Sequence, residues 1–493
     1  MSVNKPTTPA IPNTANNQTL AHNMQTAVHA VQIVNQGNAI TLPVDMSVDA
    51  AIETLIRRKA FLDEDTVVRE KFDVFPWDGA VALDTVLTNR YGWVAAEATP
   101  GFFGPTPPQI LTVDIDHDQK RKVPWGRMSI PGITGFIQCT ADTIDGRICF
   151  ELVASVKRRD EPTIEGLFQD LRAYIASNSI YRGKAFKIRF YNDAGDKLEM
   201  PEPKFLNVAD VDENHLIYSD DVMAAVRTNL FTPIERVKDC AANGIPFKRG
   251  VLLGGTFGTG KTLCAKVAAK KAVTQGITYL YVTRADELAE AIAFAKQYNN
   301  PGCVIFCEDI DREMNGERTE KMDDILNIID GIDTKSSNIM VILTTNNLEG
   351  INPAMLRPGR LDAVIDVLPP DAVAVGKLLR LYGGTAIDAD EDLTQVGELL
   401  NGRIPAVIAE VVKRAKLSQL SLQPAGVPVT KISSMALAEA AKTMQSQLDL
   451  LYREAAEKPR SIEDSLHDIM QRAVEGSPVS KHAKQVHEAV VRH

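Results

Sequence analysis

The sequence predicts a P-loop α/β fold, with a parallel sheet followed by a helical region and preceded by a separate α+β domain. Three observations carry that expectation. An apolar run, Val251, Leu252 and Leu253, breaks into a glycine-rich turn that ends in Lys261 and Thr262. From there to about residue 369 strand-like and helix-like patterns alternate, the order that builds a parallel sheet. Beyond Pro369 and Pro370 the pattern becomes wholly helical.

A chain of 493 residues is too long for one ordinary core. Composition and pattern divide it into a disordered or weakly ordered segment (1–38), an α+β domain suited to recognising a substrate or partner (39–208), an α/β subdomain (209–369), a helical subdomain (370–456) and a helical tail (457–493). The net charge of -10 argues against a broad footprint for DNA or RNA and favours protein partners. Six scattered cysteines without a CxxC pair fit a reducing cytosol, and eight histidines supply no HExxH spacing. Residues 1–19 carry no apolar core of a signal peptide, and no stretch reaches bilayer length, so a soluble, cytoplasmic protein without a membrane role is expected.

Within the first domain, Val48 to Phe61 reads as a helix capped by Ser47, with Ala51, Ile52, Leu55 and Ile56 along one face. A second helix is expected from Gly79 to Tyr91. Pro- and Gly-rich sequence around Ile110 to Ile115 suggests strands joined by turns, and Asp145-Gly146 signals a hairpin between strands Gly135 to Ala141 and Arg147 to Lys157. Trp77, Trp93 and Trp125 read chiefly as core. A helix over Glu161 to Ser177 and a strand over Ala185 to Tyr191 complete this domain.

The α/β part begins with a pair of helices from Leu216 to Asn243, broken near Phe231-Thr232-Pro233. Strands are expected at Tyr279 to Thr283, Val304 to Cys307 and Ile339 to Thr344, with helices at Ala285 to Tyr298 and Lys321 to Ile329. The last part predicts helices at Val373 to Tyr382, Leu393 to Leu400, Ile404 to Leu417 and Ser433 to Tyr452.

The chemistry lies in four motifs. In the first, Gly255, Gly258 and Gly260 let the backbone curl so that the N–H groups of Gly255, Thr256, Phe257, Gly258, Thr259, Gly260, Lys261, Thr262 and Leu263 surround phosphate oxygens. Lys261 reaches the β- and γ-phosphates of ATP, and the Thr262 hydroxyl binds Mg²⁺ at the start of a helix. In the second, the buried strand Val304 to Cys307 ends in Glu308 and Asp309, one acid for the Mg²⁺ shell and one to orient or deprotonate water. By position Glu308 takes the metal and Asp309 the water. In the third, Asn346 ends a strand where its amide could orient the attacking water. In the fourth, Arg357 and Arg360 set two guanidinium groups three residues apart, suited to neutralising a transferring phosphoryl group.

These motifs, in this order, resemble the AAA+ ATPases of the AAA clade over about Tyr218 to Met444. The resemblance implies a P-loop AAA+ sheet with a helical lid, and a homo-oligomeric ring, commonly a hexamer with a heptamer as the alternative, acting on a protein substrate. It makes Asn346 the first sensor, Arg357 and Arg360 arginine fingers that complete a neighbour's site, and Asp330-Gly331-Ile332 an intersubunit signalling segment. Ala406 stands at the position of the family's second sensor. The Glu308-Asp309 order reverses the family's usual Asp-Glu, and Thr256-Phe257 replaces its usual two prolines. Arg284 to Leu288 runs straight into a helix with no aromatic-glycine pore loop, which argues against threading. The shortened segment, the Glu-Asp order and the approach Gly244-Ile245-Pro246-Phe247-Lys248-Arg249-Gly250 to the phosphate loop are most similar to the mitochondrial Rieske-protein chaperone branch, without its membrane helix. A nucleic-acid motor or loader and a nucleotide-dependent structural ring are the two rival readings; the acidic charge argues against the first and the complete catalytic set against the second.

Overall fold

In a computed structural model of the chain, residues 46–102, 104–310, 338–348, 361–424 and 426–444 are described. The expectations for residues 1–38, for the helix Lys321 to Ile329 and for residues 457–493 lie outside them. Two compact units divide between Arg182 and Gly183.

The first unit opens with helix α1 (Val48–Leu62). Ser47 caps it as its chemistry predicts, accepting from Ala50 N at 3.2 Å. The predicted apolar face is not a core face: Ala51 is buried, but Ile52 is 51% and Ile56 63% exposed. Periodicity states which side chains share a face and not how much of it is covered: Ala51 and Leu55 are buried or half-buried, and Ile52 and Ile56 are exposed.

Strand β1 (Asp65–Phe72) and helix α2 (Pro76–Tyr91) follow. Pro76 starts α2 three residues before the expected Gly79, at the turn where its missing N–H costs nothing. With β2 (Ala95–Ala96), β5 (Arg127–Ser129), β6 (Gly135–Ile144) and β7 (Arg147–Lys157), β1 forms an antiparallel sheet in the order β1-β7-β6-β5-β2. The Asp145-Gly146 turn has φ of 48° and 77°, the left-handed pair that a two-residue hairpin requires. Strands β3 (Gln109–Asp116) and β4 (Gln119–Trp125) pair as a hairpin of their own.

Helices α2 and α3 (Glu161–Asn178) bury Leu83, Leu87, Ile164, Leu167 and Leu171 against Ile137, Leu152 and Ala154 of the sheet. Two tryptophans join this core, Trp77 edge-on to Trp125 at 5.3 Å. Trp93 does not, at 62% exposed.

In the second unit, β8 (Ala185–Lys187) and β9 (Lys204–Phe205) join β10 (Arg249–Gly254), β11 (Thr278–Val282), β12 (Cys303–Cys307), β13 (Ile339–Thr345) and β14 (Ala363–Asp366). The sheet runs β14-β10-β13-β12-β11-β8-β9, parallel except for β9. This corrects the expected boundary near Val208. Ala185 pairs with Tyr279, so the strand assigned by pattern to the first domain belongs to this sheet. Its pattern marks a strand; only long-range pairing marks whose. Strand β14 has no counterpart among the expected elements, being four residues with one buried side chain, too short for a periodic signal.

Strands β10, β12 and β13 are buried along almost their whole length, as parallel strands covered on both faces must be. Cys303 and Cys307 are core residues, as expected. The helical pair before β10 is α4 (Asp220–Val226), a π-turn at Arg227–Phe231, α5 (Thr232–Glu235) and α6 (Val237–Ala242). The break falls at Arg236, not at Phe231-Thr232-Pro233; Pro233 lies in the first turn of α5, where proline is tolerated. Helices α7 (Lys261–Thr274) and α8 (Leu288–Ala295) connect the strands.

The closing helices are α9 (Ala372–Gly383), α10 (Thr394–Leu399), α11 (Pro405–Ser421) and residues 434–444. They share a core of Leu378, Leu379, Val396, Ile408, Val411, Val412 and Leu437. Among the described residues no helix is long and apolar enough to cross a membrane.

A Cβ at Gly79 would lie 2.1 Å from Phe150 Cγ, where α2 crosses the sheet. Gly79→Ala should therefore destabilise the first unit by ~1–3 kcal/mol. All three tryptophans lie in that unit, so denaturant unfolding followed by their fluorescence reads it directly; an unchanged midpoint would contradict the packing.

Candidate functional site

The loop between β10 and α7 is shaped by its glycines. Gly255, Gly258 and Gly260 have φ of 137°, 78° and 99°, conformations that side-chain-bearing residues rarely adopt. A Cβ on Gly255 would meet the Val367 carbonyl oxygen at 2.4 Å. Thr259 Oγ1 donates to Thr256 O at 3.0 Å and pins the loop across its base. Phe257 projects from it, 69% exposed.

Lys261 begins α7 and is 6% exposed. Its ammonium donates to Gly255 O at 2.6 Å, Thr256 O at 2.9 Å and Asn346 Oδ1 at 2.8 Å. Strand order explains the reach to Asn346. Strand β13 lies between β10 and β12, so the residue that follows β13 stands between the loop and the acids that follow β12.

Asn346 bridges the two sides, its Nδ2 donating to Asp309 Oδ1 at 2.9 Å. Asp309 has φ of 48°, an uncommon conformation held from below: its N–H reaches Thr344 Oγ1 at 2.9 Å, and Ile310 N reaches Thr344 O at 3.0 Å. Glu308 turns the other way. Thr262 Oγ1 donates to its Oε1 at 2.5 Å and Tyr281 OH to its Oε2 at 2.6 Å. Burial, then the bond to Glu308, pushes the Tyr281 hydroxyl pKa upward, so it remains a donor at neutral pH.

Thus the structure brings together Lys261, Thr262, Glu308, Asp309 and Asn346 from three separate stretches of chain. Arg357, Arg360 and the segment Asp330-Gly331-Ile332 lie outside the described residues. Three contributors escaped the sequence reading. Tyr281 and Thr344 sit inside strands where they pass for ordinary β-formers. Tyr218, buried, donates to Gly260 O at 2.9 Å from a stretch that reads as helix, although the helix begins only at Asp220. Their signal is strand register and chain crossing, which composition does not carry.

The curled loop sets a buried ammonium against its own carbonyls at the start of a helix, the arrangement that backbone N–H groups and a lysine use to take phosphate oxygens. The Thr262 hydroxyl and Glu308 carboxylate are hard oxygen donors placed side by side, which fits Mg²⁺. Among the described residues no cluster of three or more His, Cys, Asp or Glu side chains could hold another metal.

After β11 the chain passes Arg284, a 3₁₀ turn at Ala285–Glu287 and then α8, as the short connection predicts.

Residues 251–368 match the ATPase family associated with various cellular activities (AAA). The chain carries an AAA ATPase domain. The seven-stranded sheet and the helices after it have the AAA+ fold, and the family implies ATP, ordinarily with Mg²⁺. The chain is similar to the ATP-dependent zinc metalloprotease FtsH of Rhodococcus erythropolis, 29% identical over 255 residues that cover 48% of this chain and 28% of the relative. It is also similar to a 26S proteasome regulatory subunit 8 homolog of Schizosaccharomyces pombe, 28% identical over 207 residues, 38% of this chain and 51% of the relative. The match thus spans under a third of that FtsH and about half of the proteasome subunit.

Gly255→Ala should deform the phosphate loop through the Val367 contact. Its expected effect is a loss of ATP affinity of at least about tenfold, measured with a fluorescent ATP analogue, since a Cβ at positive φ and a 2.4 Å clash cannot both be relieved locally.

Proposed function

We propose that the protein is an ATP-hydrolysing AAA+ ring that remodels or moves a protein partner without pulling an unfolded strand through its pore. The observation that carries the reading is the bridge Lys261–Asn346–Asp309 beside the pair Thr262–Glu308, with the groups set at the start of α7 and just after β12 and β13.

The chemistry follows from that placement. Loop N–H groups and Lys261 bind the β- and γ-phosphates of ATP and offset their charge. Thr262 and Glu308 would hold Mg²⁺, which when bound supplies further charge neutralisation there. Asp309 accepts the proton of the attacking water, and Asn346, bonded to Asp309, orients that water toward the γ-phosphoryl group. Arg357 and Arg360 are proposed to reach the same group from a neighbouring subunit of a homo-oligomeric ring, hexameric by preference, so that hydrolysis depends on assembly.

The partner is proposed to be a protein because the relatives are an ATP-dependent protease and a proteasome subunit by name. Zinc proteolysis is not carried over, since the 493 residues contain no HExxH. The missing aromatic-glycine segment after β11 supports a non-threading mechanism, and with the Glu308-Asp309 order it supports likeness to the Rieske-protein chaperone branch. We place the protein in the cytoplasm and partner recognition in the first unit.

Asp309→Asn should bind ATP with near-normal affinity and lose turnover by at least about 100-fold, because the amide keeps the bond geometry but accepts no proton. Phosphate release and analogue binding measured on one preparation decide it; normal turnover would remove Asp309 from the role. The ATP-loaded Asp309→Asn ring should also retain its partner, and removal of residues 1–182 should release it. The cut belongs there, not at 208, which would strip β8 and β9 from the sheet.

A further inference from the structure

Glu308 is anchored twice, and only one anchor belongs to the phosphate loop. Thr262 Oγ1 holds Oε1 at 2.5 Å; Tyr281 OH, from β11, holds Oε2 at 2.6 Å. Register delivers the tyrosine. Tyr281 pairs with Phe306 on β12, two residues before Glu308, and with Lys187 on β8. Its ring stacks on Phe306 with centroids 5.2 Å apart at 25°, and Lys187 Nζ lies 5.4 Å from the ring centre. A hydroxyl mounted on a ring held from these neighbouring strands has little freedom to leave its acceptor.

The second anchor has a physical reason in the residue it holds. Glutamate carries one more methylene, and so one more rotatable bond, than aspartate. A carboxylate fixed by a single hydroxyl can still swing its second oxygen; one fixed at both oxygens has a defined plane. We propose that Tyr281 is a positioning residue that sets the plane of the Glu308 carboxylate, so that Oε1 stays beside Thr262 where the metal would be held. The inference rests on the proposed ATPase reading and adds a residue to it, drawn from the strand that lies between β12 and β8.

Tyr281→Phe tests it while keeping the stacked ring. A fluorescent ATP analogue is titrated into the full-length protein and the variant, once in EDTA and once in Mg²⁺. In EDTA the two should bind alike; in Mg²⁺ the variant should lose much of the gain, with the Mg²⁺ concentration for half-maximal effect raised roughly tenfold. Glu308→Asp supplies the second arm. The shorter side chain withdraws from the tyrosine, so adding Tyr281→Phe to Glu308→Asp should cost little further. Equal Mg²⁺ responses of wild type and Tyr281→Phe, or an equal loss in EDTA and Mg²⁺, would overturn the positioning role and leave the ATPase reading standing. Wild-type protein that binds the analogue under neither condition would overturn both.

Discussion

The site depends on the burial of one charge. Lys261 is 6% exposed, and an ammonium removed from water must place its donors or lose several kcal/mol. It places them on Gly255 O, Thr256 O and Asn346 Oδ1. The first two close the loop onto itself; the third ties the loop to the end of β13, and through Asn346 to Asp309. The backbone conformation of three glycines, the strand order and the alignment of the acids thus converge on one side chain.

The parallel sheet is what makes that convergence affordable. Its strands deliver Gly254, Thr345, Cys307 and Val282 to the same edge, so the residues that follow each of the first three meet without long loops. Thr344 and Thr345, each 1% exposed, show the cost of placing polar groups there, met by local bonds: Thr344 Oγ1 accepts from Asp309 N, and Thr345 Oγ1 accepts from Asn347 N. Glu287 is a sharper case. Fully buried, it accepts from Phe190 N at 3.0 Å and Tyr191 N at 3.3 Å, tying the stretch after β8 to the start of α8. Burial pushes its carboxyl pKa upward, with those two bonds opposing.

The two units differ in how fully they enclose their apolar surface. The second buries its central strands on both faces. The first covers one face of an antiparallel sheet with α2 and α3 and leaves the stripe Val48, Ile52 and Ile56 of α1 in water.

Much was legible from residue type and spacing alone. Glycines at fixed offsets before a lysine and threonine dictate a phosphate loop, because few other backbones allow those φ values. Apolar runs ending in Glu308-Asp309 and in Asn346 announce strand ends that carry chemistry. Local signals also fixed the Ser47 cap and the Asp145-Gly146 turn. What they could not fix was anything set by pairing across the chain: that Ala185–Lys187 extends the sheet of the second unit, that Ile52 and Ile56 of α1 are exposed while Ala51 is buried, and that Tyr281, Thr344 and Tyr218 support the site. A strand's sequence records that it is a strand and which side chains alternate. Its neighbours are chosen by the packing of the whole sheet, and those neighbours decide which hydroxyl reaches Glu308.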